Sequence, residues 1–189
     1  MAHADLVILG GGSGGYACAL RAAELGLSVI LIDKDKLGGT CLHRGCIPTK
    51  ALLHAAEVAD SARESEQFGV NASLHGIDMV KVNEYRDGVV GRLYKGLQGL
   101  VKSRDITLVE GTGTLTSPTT VQVGDTTYTA TKAVILATGS YARSLPGLEI
   151  GRGHQVMPAH SSLLDRRRRR CAFWASGECA HERRCPSGK

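Results

Sequence analysis

Residues 10–15 read Gly-Gly-Gly-Ser-Gly-Gly, directly after the apolar run DLVIL at residues 5–9. A run that short, bounded by glycine, reads as a buried parallel strand. Gly10, Gly12 and Gly15 stand in G-x-G-x-x-G order, with Ser13 and Gly14 between the last two. The first glycine permits a tight turn, the second lets a pyrophosphate approach the backbone, and the third lets helix and strand pack closely. An alanine-rich helix is predicted over residues 16–25, with Gly26 as its C-terminal stop. Its N-terminus would present free N–H groups to an anion. A second strand follows at residues 28–32 and runs into Asp33 and Lys34. Asp33 lies 23 positions after Gly10, where a carboxylate would accept hydrogen bonds from a ribose. Strand, glycine turn, helix and a second strand ending on an acid together predict a dinucleotide-binding α/β fold. The competing reading is a glycine-rich turn with no ligand.

The next segment, residues 38–50, is GGTCLHRGCIPTK. Cys41 and Cys46 are five positions apart, with four residues between them where paired zinc ligands usually have two. An ideal helix would hold the two Cα atoms about 8 Å apart, whereas a disulfide needs them within roughly 7 Å. A bridged pair therefore requires a distorted turn, which Gly45 makes easy, and Pro48 suits the start of the helix beyond. Two ordinary thiols and a redox-active disulfide are the competing readings, and the dinucleotide context favours the disulfide.

A helix is predicted over residues 49–63, with Ala51, Leu52, Leu53, Ala55, Ala56, Val58 and Ala59 forming a broad apolar face. Residues 68–74 are loop-like. Val82, Tyr85, Val89, Leu93, Leu97 and Leu100 then recur every three or four positions, as on one face of a long helix. Gly88, Gly91, Gly96 and Gly99 weaken that helix by about 1 kcal/mol each relative to Ala, so it depends on packing or on a partner subunit. Tyr85, Tyr94 and His54 read as helix-face residues. Residues 106–110 form a strand before Gly111-Thr112-Gly113. Residues 121–123 and 127–131 flank Gly124-Asp125 as a hairpin. Residues 132–136 (KAVIL) form another buried strand ending at Ala137-Thr138-Gly139-Ser140.

In this order the segments resemble the flavin disulfide oxidoreductases. Within that family, the Cys-Ile-Pro-Thr-Lys ending is that of the branch that oxidises dihydrolipoamide. Glutathione and mercuric reductases resemble it but tend to have Val after the second cysteine. The family usually has Asn at the position of His43, a tolerated departure because the position holds no redox atom. The resemblance covers residues 4–150 through four ordered motifs: the glycine fingerprint, the cysteine pair, a turn at Gly113 near the adenine, and the Ala-Thr-Gly turn, with Leu145-Pro146-Gly147 continuing the match. It implies a Rossmann-like FAD-binding domain with a parallel sheet, a small hairpin or meander insertion and a long helix. FAD contacts are implied for Gly10, Gly12, Ser13, Gly14, Gly15, Asp33, Lys34, Gly39, Thr40, Cys41, Lys50, Gly113, Ala137, Thr138, Gly139 and Ser140. Cys41 would be the interchange thiol and Cys46 the thiol facing the flavin. Lys50, otherwise a solvated lysine, would lie near flavin N5, paired with a carboxylate. Intact relatives pass electrons to NAD, act on the lipoyl domain of a 2-oxoacid dehydrogenase complex, and form homodimers.

Beyond residue 150 the pattern breaks. Residues 1–150 have a net charge of −1 and residues 151–189 one of +6, so the whole basic excess of the chain sits in its last segment. No second G-x-G-x-x-G follows, and His154, His160 and His181 do not match the family's His-Glu base. The last segment has five arginines at 166–170, together with Cys171, Trp174, Cys179, His181 and Cys185. Nucleic-acid binding by the arginines and zinc binding by the Cys/His group are weaker readings than a slipped reading frame in a GC-rich gene. Natural truncation or domain fusion would also give such a break. The expected organisation is an FAD-binding domain over 1–150 and an aberrant, unstructured basic tail over 151–189. No metal site, nucleic acid or membrane is expected. The N-terminus runs straight into a strand without a charged leader, and the compartment expected is the cytoplasm. The expected function is that of an FAD-binding fragment, inactive alone. Competing with it are a non-catalytic product, a stand-alone FAD-binding module, and another disulfide reductase of the family.

Overall fold

The computed structural model describes residues 2–140, all within the first of the chain's two units, Met1–Arg143. The boundary expected at residue 150, the segment 151–189 and its arginines, cysteines and histidines lie outside the described residues.

Among the described residues, six strands form one sheet in the order β3-β2-β1-β6-β5-β4. β1 (Ala2–Leu9) lies parallel to β2 (Val29–Asp33) on one side and to β6 (Thr126–Leu136) on the other, and β3 (Thr107–Glu110) extends the parallel set beyond β2. β4 (Gly113–Ser117) and β5 (Thr120–Val123) complete an antiparallel meander with β6. The mixed α/β, Rossmann-like architecture is the one the glycine fingerprint predicts. One expectation changes: the second hairpin strand and the KAVIL strand are a single eleven-residue strand. β6 therefore joins the meander to the parallel sheet. The polar Thr and Lys residues at its centre hid this continuity, because only half of a strand paired on both sides needs apolar residues when one face is wet.

The central strands are buried on both faces. Ile8 and Leu31 point to one cluster, with Ala19, Ala22, Leu42, Leu97, Val101 and Ile106. Val7, Ile30 and Ile32 point to the other, against Val121 and Ala130 of the meander. At about 25 cal/mol per Å2 of apolar surface, burying each of these large aliphatic side chains contributes roughly 1.5–3 kcal/mol.

Among the described residues, four α-helices accompany the sheet. α1 (Ser13–Glu24) buries Gly15, Ala19 and Ala22, one helix face at a spacing of four and three. It ends as expected at Gly26, which has φ +79°. The Gly26 N–H donates to Ala23 and the Leu27 N–H to Ala22, satisfying the last carbonyls. α2 is a single turn, Gly39–His43, and α3 runs from Cys46 to Arg63. Pro48 sits in the first turn of α3, where its missing N–H costs nothing. The expected apolar face of α3 is narrower than the sequence suggests: Ala51, Leu52 and Ala59 are buried, whereas Leu53 and Val58 are exposed. α4 (Met79–Ser103) is capped by Asp78, whose carboxylate accepts from the Val80 and Lys81 N–H groups. Its buried residues are Leu97 and Val101, while Leu93 and Leu100 are about half exposed. The apolar stripe is thus rotated towards Val101 from the face the spacing predicts.

Candidate functional site

The C-terminal ends of β1, β2, β3 and β6 open onto one cleft of about 580 Å3. Four separate stretches line it: Leu9, Gly10 and Gly12; residues 32–44 in part; Gly111 to Gly113; and Ala137 to Ser140. Ligands of open α/β sheets bind at this carboxyl edge.

Backbone contacts explain the glycines. Gly10 has φ +107°, and a Cβ there would collide with the Ala137 carbonyl. This contact brings the fingerprint against the Ala-Thr-Gly turn. A Cβ on Gly15 would overlap the Gly10 carbonyl oxygen, so α1 can start only where position 15 has no side chain. A Cβ on Gly12 would meet nothing closer than the Gly39 Cα at 4.0 Å. Its requirement for glycine does not come from packing within the domain, which fits a ligand passing over it. α1 has no capping side chain and no acidic residue in its first turn. The N–H groups at its start are left to an anion such as a pyrophosphate.

Asp33 ends β2 half-buried on the cleft wall. Its Oδ2 accepts from the Gly11 N–H at 2.5 Å and its Oδ1 from the Asp35 N–H at 2.9 Å. Each carboxylate oxygen has a second lone pair for a ribose hydroxyl. These bonds hold the fingerprint to the acid before any ligand arrives. The donors and acceptors present, free N–H groups, a fixed carboxylate and the cleft-lining Lys34 and Lys36, fit the phosphates and ribose of FAD.

Of the expected residues, Gly10, Gly12, Asp33, Lys34, Gly39, Thr40, Gly113, Ala137, Thr138, Gly139 and Ser140 line the cleft together. Ser13 and Gly14 are exposed at the start of α1, and Gly15 is buried beneath it. Cys41, Cys46 and Lys50 do not line the cleft. Cys41 follows Gly39 and Thr40 within α2, Cys46 opens α3, and Lys50 is exposed one turn further on. Cys41 therefore stands on α2, which contributes Gly39, Thr40 and His43 to the cleft, and Cys46 on α3, which contributes no lining residue.

The cysteines are present as thiols, Cys41 half-buried and Cys46 exposed. The turn between them is non-helical, with Gly45 at φ −128°, ψ −108°. That is the distortion the spacing requires. The Cys41 thiol is pushed up from its usual range, first by its hydrogen bond to Cys46 and then by burial, with Lys50 opposing weakly. Loss of two protons and two electrons from such a reduced pair would close it into a disulfide.

Reading the sequence missed Asp35, Lys36, His43 and Arg44 as cleft residues. Arg44 pairs with Asp35 at 2.6 Å. The Asp35 carboxyl is held below its usual range, first by the Lys36 N–H, then by the charges of Arg44 and His43. The adjacent Asp-Lys and His-Arg pairs were visible, but their convergence depends on α2 folding back over the end of β2. Among the described residues, no group of three or more His, Cys, Asp or Glu side chains is placed to hold a metal ion. No described helix is long and apolar enough to cross a membrane.

A parallel sheet with a nucleotide cleft at its carboxyl edge and a dithiol on the adjoining helix turn defines a dinucleotide-binding redox domain. The chain belongs to the pyridine nucleotide-disulphide oxidoreductase family, whose sequence profile matches residues 4–171. It is 43% identical over 171 residues to dihydrolipoyl dehydrogenase of Bacillus subtilis, covering 84% of this chain and 36% of that protein. It is 42% identical over 166 residues to dihydrolipoyl dehydrogenase 2 of Haloarcula marismortui, covering 84% and 34%. It is 43% identical over 152 residues to the mitochondrial dihydrolipoyl dehydrogenase of Pisum sativum, covering 77% and 30%. The chain thus spans about a third of the length of these relatives. The family match continues past residue 150 to residue 171. Because one of these relatives is mitochondrial, the similarity does not itself assign a compartment.

Proposed function

We infer that this chain is the flavin-binding, dithiol-bearing part of a dihydrolipoyl dehydrogenase. The observation that carries this reading is the cleft, which unites four stretches far apart in sequence around a fixed carboxylate and an uncapped helix start. The α1 N-terminus and Gly12 would bind the pyrophosphate of FAD, Asp33 its ribose, and the turns at Gly113 and Ala137 the adenosine and flavin portions. Bound FAD supplies an acceptor for the electron pair that thiols cannot pass to a nicotinamide. Cys41 would meet the substrate dithiol and Cys46 would face the flavin, with Lys50 one helical turn beyond.

In the whole protein the substrate is dihydrolipoamide on the lipoyl domain of a 2-oxoacid dehydrogenase complex, the final acceptor is NAD, and the working unit is a homodimer. The 189 residues contain no second glycine fingerprint, and their one adjacent His-Glu pair, His181-Glu182, stands in the basic last segment. This polypeptide is therefore expected to bind FAD without turning over lipoamide and NAD. The test is to titrate the purified chain with FAD and follow flavin fluorescence, then assay NADH formation. Saturable binding that Asp33→Ala weakens, with no NADH formed, supports the reading. Absence of FAD binding, or measurable turnover, overturns it. The same reading takes the end of the chain, past the family match at residue 171, as out of frame. Resequencing the gene from Ala137 onward should reveal a further strand and second fingerprint in a neighbouring frame.

A further inference from the structure

α2 is only five residues long. A single turn has almost no helical stability of its own, so outside contacts must hold it. Leu42 anchors one side in the core with Leu37 and Leu97. The Gly38 N–H donates to the Gly11 carbonyl at 2.8 Å. The Arg44–Asp35 pair is more than half exposed at both ends, and exposed pairs contribute little. A further contact belongs to His43. Its Nε2 lies 2.9 Å from the Leu37 carbonyl oxygen. A carbonyl only accepts, so Nε2 bears the hydrogen. The same ring meets Tyr94 of α4 edge-on, with centroids 5.1 Å apart and planes at 74°, a favoured aromatic geometry. One side chain thus joins α2 to the loop before it and to the long helix beside it.

His43 is two residues after Cys41 and three before Cys46. Any freedom it removes from α2 is removed from the approach of one thiol to the other. Holding two reacting groups together raises their effective concentration and favours the bonded form. We propose that His43 is a positioning residue for the Cys41–Cys46 couple, clamping α2 to Leu37 and Tyr94 so that the dithiol–disulfide equilibrium lies towards the disulfide. This rests on the reading that the two cysteines form a redox couple. An Asn at this position, usual in the family, could reach one hydrogen-bond partner but would bring no ring to Tyr94.

The equilibrium is measurable without flavin. Glutathione disulfide accepts two electrons, the Cys41 and Cys46 thiols lose two protons and form one S–S bond, and two glutathione thiols are released. The full chain would be equilibrated in glutathione buffers of graded ratio and alkylated. The peptide carrying both cysteines would then be quantified by mass spectrometry. His43→Ala is expected to shift the equilibrium constant towards the dithiol by about three- to tenfold, or about 15–30 mV for a two-electron couple. His43→Gln, which keeps an N–H near the Leu37 carbonyl, should recover part of that shift. Tyr94→Leu should shift the couple in the same direction, and combined with His43→Ala should add less than its own full effect. If His43→Ala fails to fold, His43→Gln and Tyr94→Leu decide, since each removes only the ring contact. Folded variants that hold the parental ratio within about twofold overturn the proposal and leave the proposed function standing. A parent chain that never closes the Cys41–Cys46 disulfide overturns both.

Discussion

Two parts of this chain are rich in glycine, for opposite reasons. In the fingerprint, Gly10 and Gly15 stand where a Cβ would collide with backbone. In α4, a Cβ added at Gly88, Gly91, Gly96 or Gly99 would meet nothing within 4 Å. The first set allows β1, α1 and the Ala-Thr-Gly turn to touch. The second set weakens a 25-residue helix and gains no contact within the domain. Identical residues therefore carry site information in one place and none in the other, and only the surroundings tell them apart.

The largest expected effect lies in the fingerprint. Gly15→Ala should destabilise the chain by about 3 kcal/mol or more, because the obstacle is a backbone carbonyl that cannot rotate away. Denaturant unfolding would measure it, and a near-neutral result would break the contrast. Gly39→Ala should cost about 1–2 kcal/mol: φ is +58° and the added Cβ would lie 2.7 Å from the Gly12 Cα. It should also weaken FAD binding, since Gly39 and Gly12 are both cleft residues. In α4 the sign reverses. Each of Gly88→Ala and Gly96→Ala should stabilise the chain by about 0.5–1 kcal/mol, and a loss of stability would show that these glycines pack against something.

The titrating groups near the cleft sharpen the contrast further. Alkylation of the reduced chain should place the Cys41 midpoint above that of an ordinary thiol, and Cys46→Ala should lower it by removing the hydrogen bond that raises it. A thiol raised in the fold favours the folded state below the ordinary thiol range. That contribution fades as pH rises through the folded value. Asp35 has the opposite sign. Its lowered carboxyl contributes above the ordinary carboxylate range and loses that contribution as pH falls through the folded value. It is half exposed, so Asp35→Asn should cost only about 0.5 kcal/mol at neutral pH, and less in high salt.

Much of the cleft was legible because its chemistry is local. The turn at Gly10, the acid at Asp33, and the Gly113 and Ala137 turns each follow a strand, and strand order puts their ends on one edge. The cysteine spacing also foretold a broken helix at Gly45. Less legible were the residues that converge through folding. In the sequence His43 is only a tolerated departure from the family pattern, yet it contacts Tyr94, 51 positions away. Asp35 and Arg44 meet across the loop that α2 closes. The face of α4 differs from the expected one because a period of three or four fixes that a stripe exists, not which neighbour it meets.

The sequence by itself determined the α/β class, the fingerprint turn, the acid at the end of β2 and the cysteine pair, because each depends on short-range sterics and spacing. Tertiary structure alone decided that β6 is one strand linking meander to sheet, that α4 turns Val101 inward, and that His43 bridges Leu37 and Tyr94. Those outcomes depend on which surfaces meet when the sheet closes, and no local pattern of residues specifies that.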